Sequence, residues 1–144
     1  NCARFFLAKK VLQDSENTSL LITDIDVQIN QNLDSIFFKY KDWNAVKLRR
    51  GRDIRFYCYA GCVLLSAKNR LVVINDLCDR ISVRFLSRNW YTDQIALWFT
   101  FKKFKGYFKE LTEEVFSIKY NNSTVFAWKG KNKYTTKSLD KVSK

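Results

Sequence analysis

Between residues 71 and 101 three apolar runs decide how this chain is read: Leu71-Val72-Val73-Ile74, Ile81-Ser82-Val83-Arg84-Phe85 and Ile95-Ala96-Leu97-Trp98-Phe99-Thr100-Phe101. The first is strand-sized, and in the other two Ile81, Val83 and Phe85, then Ile95, Leu97, Phe99 and Phe101, fall at every second position, as in a half-buried strand. Lys68-Asn69 reads as a hairpin turn ahead of the first run, and residues 89–93 as the connection before the last.

Working toward the N-terminus, the same pattern recurs. Residues 21–30 set Leu21, Thr23, Ile25, Val27 and Ile29 against Ile22, Asp24, Asp26, Gln28 and Asn30, after which Asn30-Gln31-Asn32 reads as a turn. Ile36-Phe37-Phe38-Lys39-Tyr40 reads as a second strand and residues 46–49 as a short third. Ile54, Phe56 and Cys58 alternate in turn, and the chain then either runs straight on to Val63-Leu64-Leu65 or reverses at Ala60-Gly61. Short strands at this spacing predict a mainly β fold, an antiparallel barrel or sandwich. Residues 3–12 fit a short helix or a strand equally, and are left open.

Working toward the C-terminus, Phe101, Phe104, Phe108, Leu111 and Val115 are spaced three, four, three and four apart, which predicts one amphipathic helix near 102–114. Its wet face carries lysines first and glutamates last, against the preference of the helix dipole at both ends. Residues 116–120 and 125–128, joined at Asn121-Asn122, read as a terminal hairpin. The division expected is a single β-rich domain over 1–130 and a Lys-rich C-terminal tail over 131–144.

Composition narrows the chemistry. An apolar share of 47% in 144 residues suits one core, and twelve Phe, seven Tyr and four Trp favour sheet. Histidine is absent, which removes Ser-His-Asp triads, Cys-His pairs and two-His zinc sites. The four glycines, at 51, 61, 106 and 130, form no phosphate-binding loop. Asp24 with Asp26 and Glu113 with Glu114 read as ordinary exposed positions rather than a tuned carboxylate pair. The expectation is a non-enzymatic protein with no cofactor and no metal site. No apolar stretch is long enough to span a membrane.

Lysine and arginine outnumber acids 26 to 14, for a formal charge of +12, which points to anionic partners. The candidate polyanion-binding residues are Lys47, Arg49, Arg50, Arg52 and Arg55 in the densest basic run, and Lys102, Lys103, Lys105 and Lys109 on the expected helix. Arginine's planar fork suits phosphate and sulfate, and nearby aromatics such as Tyr57, Tyr59 and Trp90 suggest stacking platforms.

The chain begins Asn1-Cys2 and contains no methionine, which is read as removal of a preceding segment such as a signal peptide. Cys2, Cys58, Cys62 and Cys78 then predict disulfides: Cys58 with Cys62 if Ala60-Gly61 turns, or each with an outside partner if the strand is continuous. Asn17, Asn121 and Asn122 stand in glycosylation acceptor triplets. Together these features describe a secreted, disulfide-bonded, glycosylated β-rich module that binds a protein or acidic glycan partner through a basic face. The alternative is an intracellular domain that binds RNA or single-stranded DNA through the same face.

Overall fold

A computed structural model of the chain describes residues 2–15, 17–49, 53–85, 91–119 and 122–127. Among them more residues are helical than extended, so the mainly β barrel or sandwich is overturned: the fold is mixed α/β, with four helices and two small sheets. The chain order is α1 (Ala3–Asp14), β1 (Leu20–Thr23), β2 (Val27–Ile29), α2 (Asp34–Lys39), β3 (Asn44–Leu48), β4 (Cys58–Leu65), α3 (Arg70–Phe85), α4 (Thr92–Lys103), β5 (Phe108–Glu110), β6 (Phe116–Ser117) and β7 (Val125–Ala127).

The three runs that suggested strands are helices. In α3 the buried residues are Val73, Ile74, Leu77, Cys78 and Ile81, a 3.6-residue stripe. The residues that made the run look like strand fall off that stripe: Val72 is 56% exposed and Val83 78%. Ile36-Phe37-Phe38 likewise belongs to a helix, α2, which buries Ile36 and leaves Phe38 exposed. The expected helix near 102–114 is displaced toward the N-terminus, because α4 ends at Lys103. Asp93 then falls in its first turn and Lys102 and Lys103 in its last, the arrangement the dipole favours. Phe101 still meets Phe108, at 5.6 Å between ring centres, but across a loop into β5.

β4 is the centre of the larger sheet, ordered β1-β4-β3-β5, and all eight of its residues are buried. It runs through Ala60-Gly61 without turning, antiparallel to both β1 and β3, while β5 joins β3 in parallel. Between Val46↔Val63 and Lys47↔Tyr59 the pairing slips, so residues 60–62 bulge away from β3. The slip inverts which side chains face which layer. Cys58, Ala60, Val63 and Leu65 point to α1, α3 and α4, whereas Tyr59, Cys62 and Leu64 point to the opposite side. Gly61 is required in the bulge, since a Cβ there would stand 2.5 Å from a Tyr59 ring carbon and 2.6 Å from an Asp24 carboxylate oxygen.

The opposite side is closed by α2 and the second sheet, ordered β2-β7-β6. Residues 21–30 feed both sheets: β1 pairs with β4, the chain turns at Ile25-Asp26, and β2 pairs with β7. β6 and β7 are parallel, so the expected terminal hairpin is not formed. The Lys-rich tail over 131–144 lies outside the described residues. No helix among those described is long and apolar enough to cross a membrane.

Candidate anion-binding groove

β3 alternates Val46 and Leu48 toward the helices with Ala45 and Lys47 toward the second sheet, and the next residue on the latter side is Arg49. The Arg49 amide donates to the Tyr57 carbonyl at 2.8 Å, which extends the pairing with β4 by one step. Opposite it stand Phe116, Ile118 and Lys119 at the end of β6, with Glu113 before them. The space between is a groove of about 240 Å³.

Its floor is aromatic. Tyr59, 2% exposed, stacks on fully buried Phe116 at 5.2 Å, and the Arg49 guanidinium lies over the Tyr59 ring at 4.3 Å. Burial lowers the Arg49 pKa below its ordinary value, with the Tyr59 and Tyr91 hydroxyls opposing. Burial also raises Tyr59, with Asp24 and Asp26 adding to the rise, so its hydroxyl stays neutral. Among the described residues no oxygen accepts a hydrogen bond from the Arg49 guanidinium. Its contact is the Tyr59 ring face.

The neighbouring cations differ in how far they are committed. Lys47 donates to the Leu111 carbonyl at 3.3 Å and pairs with Glu113 at 2.7 Å. That bond holds Glu113 below the usual carboxylate range. Lys119 is exposed, and its charge adds to that of Lys47 in lowering Glu113. Three cations thus face one carboxylate, which is itself occupied.

Glu113 is also a wall of a second cavity, a polar cleft of about 520 Å³ between α2 and the segment before β7. Gln31, Ser35, Lys39, Glu114 and Asn122 line it. Two of these brace the wall: the Gln31 amide donates to the Asn122 carbonyl at 3.3 Å, and Ser35 donates to the Asn32 carbonyl at 3.2 Å.

The other basic residues named from sequence are dispersed. Arg55 is exposed and closes on Asp53 two residues away. Lys109 lies over Trp43 at 4.3 Å and Lys102 over Trp98 at 4.9 Å. Lys103 pairs with Asp76 at 2.7 Å, and Lys105 is exposed in the turn after α4. Arg50 and Arg52 lie outside the described residues. Sequence reading named Tyr59 as an open stacking platform, whereas the ring is buried beneath Arg49, and it missed Lys119 and Phe116, because residues 113–119 come opposite β3 only through the tertiary fold. It also missed a second basic-aromatic cluster, where Arg80 and Arg84 of α3 lie over Phe99 of α4 at 5.7 and 5.1 Å.

The disulfide expectation is corrected: Cys2, Cys58, Cys62 and Cys78 are all free thiols. Of the two alternatives the continuous strand is the one formed, but its bulge sends Cys58 and Cys62 to opposite layers and neither bonds to an outside partner. Cys78 donates instead to the Phe5 carbonyl at 3.4 Å. Burial pushes Cys58 and Cys62 up to about 12, Cys62 with help from Asp24, and Cys78 up to about 11. Disulfides therefore give no support to secretion.

Asn17 and Asn122 are exposed, while Asn121 lies outside the described residues. The Asn122 triplet ends in buried Thr124, whose hydroxyl donates to the Gln31 side chain at 3.3 Å. Asp24 is not an ordinary exposed residue: it pairs with Arg4 at 2.7 Å, and the same guanidinium reaches Asp93 and the Ala60 carbonyl, both at 3.0 Å. This clip ties α1 to the β1–β2 turn, β4 and α4. Compared with known family models, characterised proteins and solved structures, the chain shows no match.

Proposed function

We propose that the domain is a non-enzymatic binding module that recognises a polyanionic partner through a basic surface centred on Arg49. The observation that carries this reading is the Arg49 guanidinium itself: half-buried, resting on Tyr59, and with its hydrogen-bond donors directed to no oxygen of the described residues. A cation that has lost part of its hydration without gaining an anion regains that interaction when a sulfate, phosphate or carboxylate enters the groove. Lys119 adds charge at the mouth. The formal charge of +12 draws anions toward the whole surface and speeds encounter.

The alternative, an RNA or single-stranded DNA binder, is favoured by the second cluster, where Phe99 sits half-buried between Arg80 and Arg84. Arg80 is already committed to Asp76 at 2.6 Å, so that cluster offers less uncompensated charge. In the groove the rings lie beneath the arginine and present no open face for a base to stack on.

The test is retention on immobilised heparin over a salt gradient. Arg49→Ala is expected to elute at clearly lower salt than wild type, and the triple Arg49, Arg50 and Arg52→Ala variant lower still, with a flatter salt dependence. Equal retention of all three proteins would overturn the proposal.

A further inference from the structure

We infer that the Arg49 groove and the polar cleft beside it form one two-part site for an acidic oligosaccharide, a reading that rests on the polyanion function proposed above. The acid group of the glycan sits against Arg49 and Lys119, and the hydroxyls of the adjoining sugar sit against Glu114, Asn122 and Ser35.

Adjacency comes first. Glu113 lines both cavities, so they meet around a single side chain. Size comes next: at about 240 Å³ the groove takes one acid group, and at about 520 Å³ the cleft has room for a sugar ring.

The chemistry of the cleft separates glycan from nucleic acid. The Glu114 carboxylate and the Asn122 side-chain amide have no partner among the described residues, and both face open space. A free carboxylate is a strong acceptor for hydroxyl donors and repels a second anion. Acidic glycans with one carboxylate per disaccharide place a neutral, hydroxyl-rich ring between successive charges, so an acid group at Arg49 brings hydroxyls rather than a second acid to Glu114. A nucleic acid carries a phosphate on every residue, and its next charge would meet the unpaired Glu114 in a cleft whose one cation, Lys39, stands against two carboxylates. It would also seek an exposed ring, while Tyr59 and Phe116 are buried.

The discriminating variant is Glu114→Gln, which removes a negative charge and keeps the shape. If charge alone governs binding, it tightens every polyanion. If hydroxyl recognition operates, it weakens the glycan while tightening RNA. The measurement is fluorescence anisotropy at fixed ionic strength, with a labelled hyaluronan hexasaccharide, which carries one carboxylate per disaccharide, and an oligouridylate of equal charge. The protein is made without glycosylation, because a glycan on Asn122 would fill the cleft.

Wild type is expected to prefer the hexasaccharide. Glu114→Gln is expected to weaken it by about 3- to 10-fold, the scale of one solvent-screened, charge-assisted hydrogen bond. Arg49→Ala is expected to weaken both ligands, and Arg49→Lys to restore part of the loss, since charge returns without the planar fork. Tighter hexasaccharide binding by Glu114→Gln, or a wild-type preference for the oligouridylate, overturns the glycan inference and leaves the Arg49 groove standing. Unchanged binding of both ligands by Arg49→Ala, with an unchanged thermal midpoint, removes the groove itself.

Discussion

Replacing Asp76 by Asn should destabilise the fold by an amount that depends on pH in a defined way. The Asp76 carboxylate on α3 accepts from Arg80 Nε at 2.6 Å on its own helix, and from Thr100 Oγ1 at 2.8 Å and Lys103 Nζ at 2.7 Å on α4. Burial by itself would raise its pKa, but those three donors outweigh burial and bring it from the ordinary 3.8 to about 2. At roughly 1.4 kcal/mol per pKa unit, that displacement corresponds to about 2.5 kcal/mol as an upper bound. The Lys103 side chain is 55% exposed and that of Arg80 32%, so solvent screening reduces the expectation to about 1–2 kcal/mol. Because the folded value lies below the unfolded one, the stabilisation is complete above about pH 4 and fades as pH falls toward 2. Urea unfolding followed by circular dichroism, for wild type and Asp76→Asn at pH 7, 4 and 2.5, reads this directly. The gap should be about 1–2 kcal/mol at pH 7 and shrink at pH 2.5. An equal gap at both, or none at pH 7, would refute the reasoning.

Three further outcomes are expected. Gly61→Ala should lower stability by about 2–3 kcal/mol by overpacking, because its Cβ would press on the buried Tyr59 ring, and a wild-type urea midpoint would contradict the bulge geometry. Arg4→Met should cost about 3–5 kcal/mol by leaving Asp24 and Asp93 facing each other without their cation, and adding Asp24→Asn should recover part of it in the same unfolding assay. Thiol titration should count four reactive groups under denaturant without reductant, and native protein should show slow reaction at Cys58 and Cys62, whose thiols stay protonated at neutral pH; fewer than four would restore a disulfide.

What the sequence made legible follows the range of its signals. The strand at β3 and the first half of residues 21–30 were read correctly, since a period of two needs only four or five residues to show itself. The same short window misled at Ile81-Val83-Phe85 and Ile95-Leu97-Phe99-Phe101, because any apolar helix contains i, i+2 pairs that mimic a strand. The longer series Val73, Ile74, Leu77, Cys78, Ile81 held the correct period throughout. The charge order over 102–114 was a second usable signal: lysines ahead of glutamates fit the end of one helix better than the start of another, and α4 ends there.

The candidate site was legible only in part, and the reason is geometric. Lys47 and Arg49 lie two residues apart on one strand, so their shared side could be read from alternation alone. Their partners come from residues 113–119, brought opposite by the parallel pairing of β6 with β7, and no local pattern announces that pairing. The floor is less legible still. Tyr59 faces the groove because β4 slips past β3 at residues 60–62, which reverses the sides on which Tyr59 and Val63 would otherwise both lie. Without the slip Tyr59 would share the helix-facing side with Val63 and Leu65, and Arg49 would have no ring beneath it. The bulge in turn depends on Gly61, the one position in β4 where a side chain would strike Tyr59 and Asp24. The half-buried arginine proposed to recognise the anion is therefore placed by a glycine twelve residues away, through a register shift that composition and charge density do not encode.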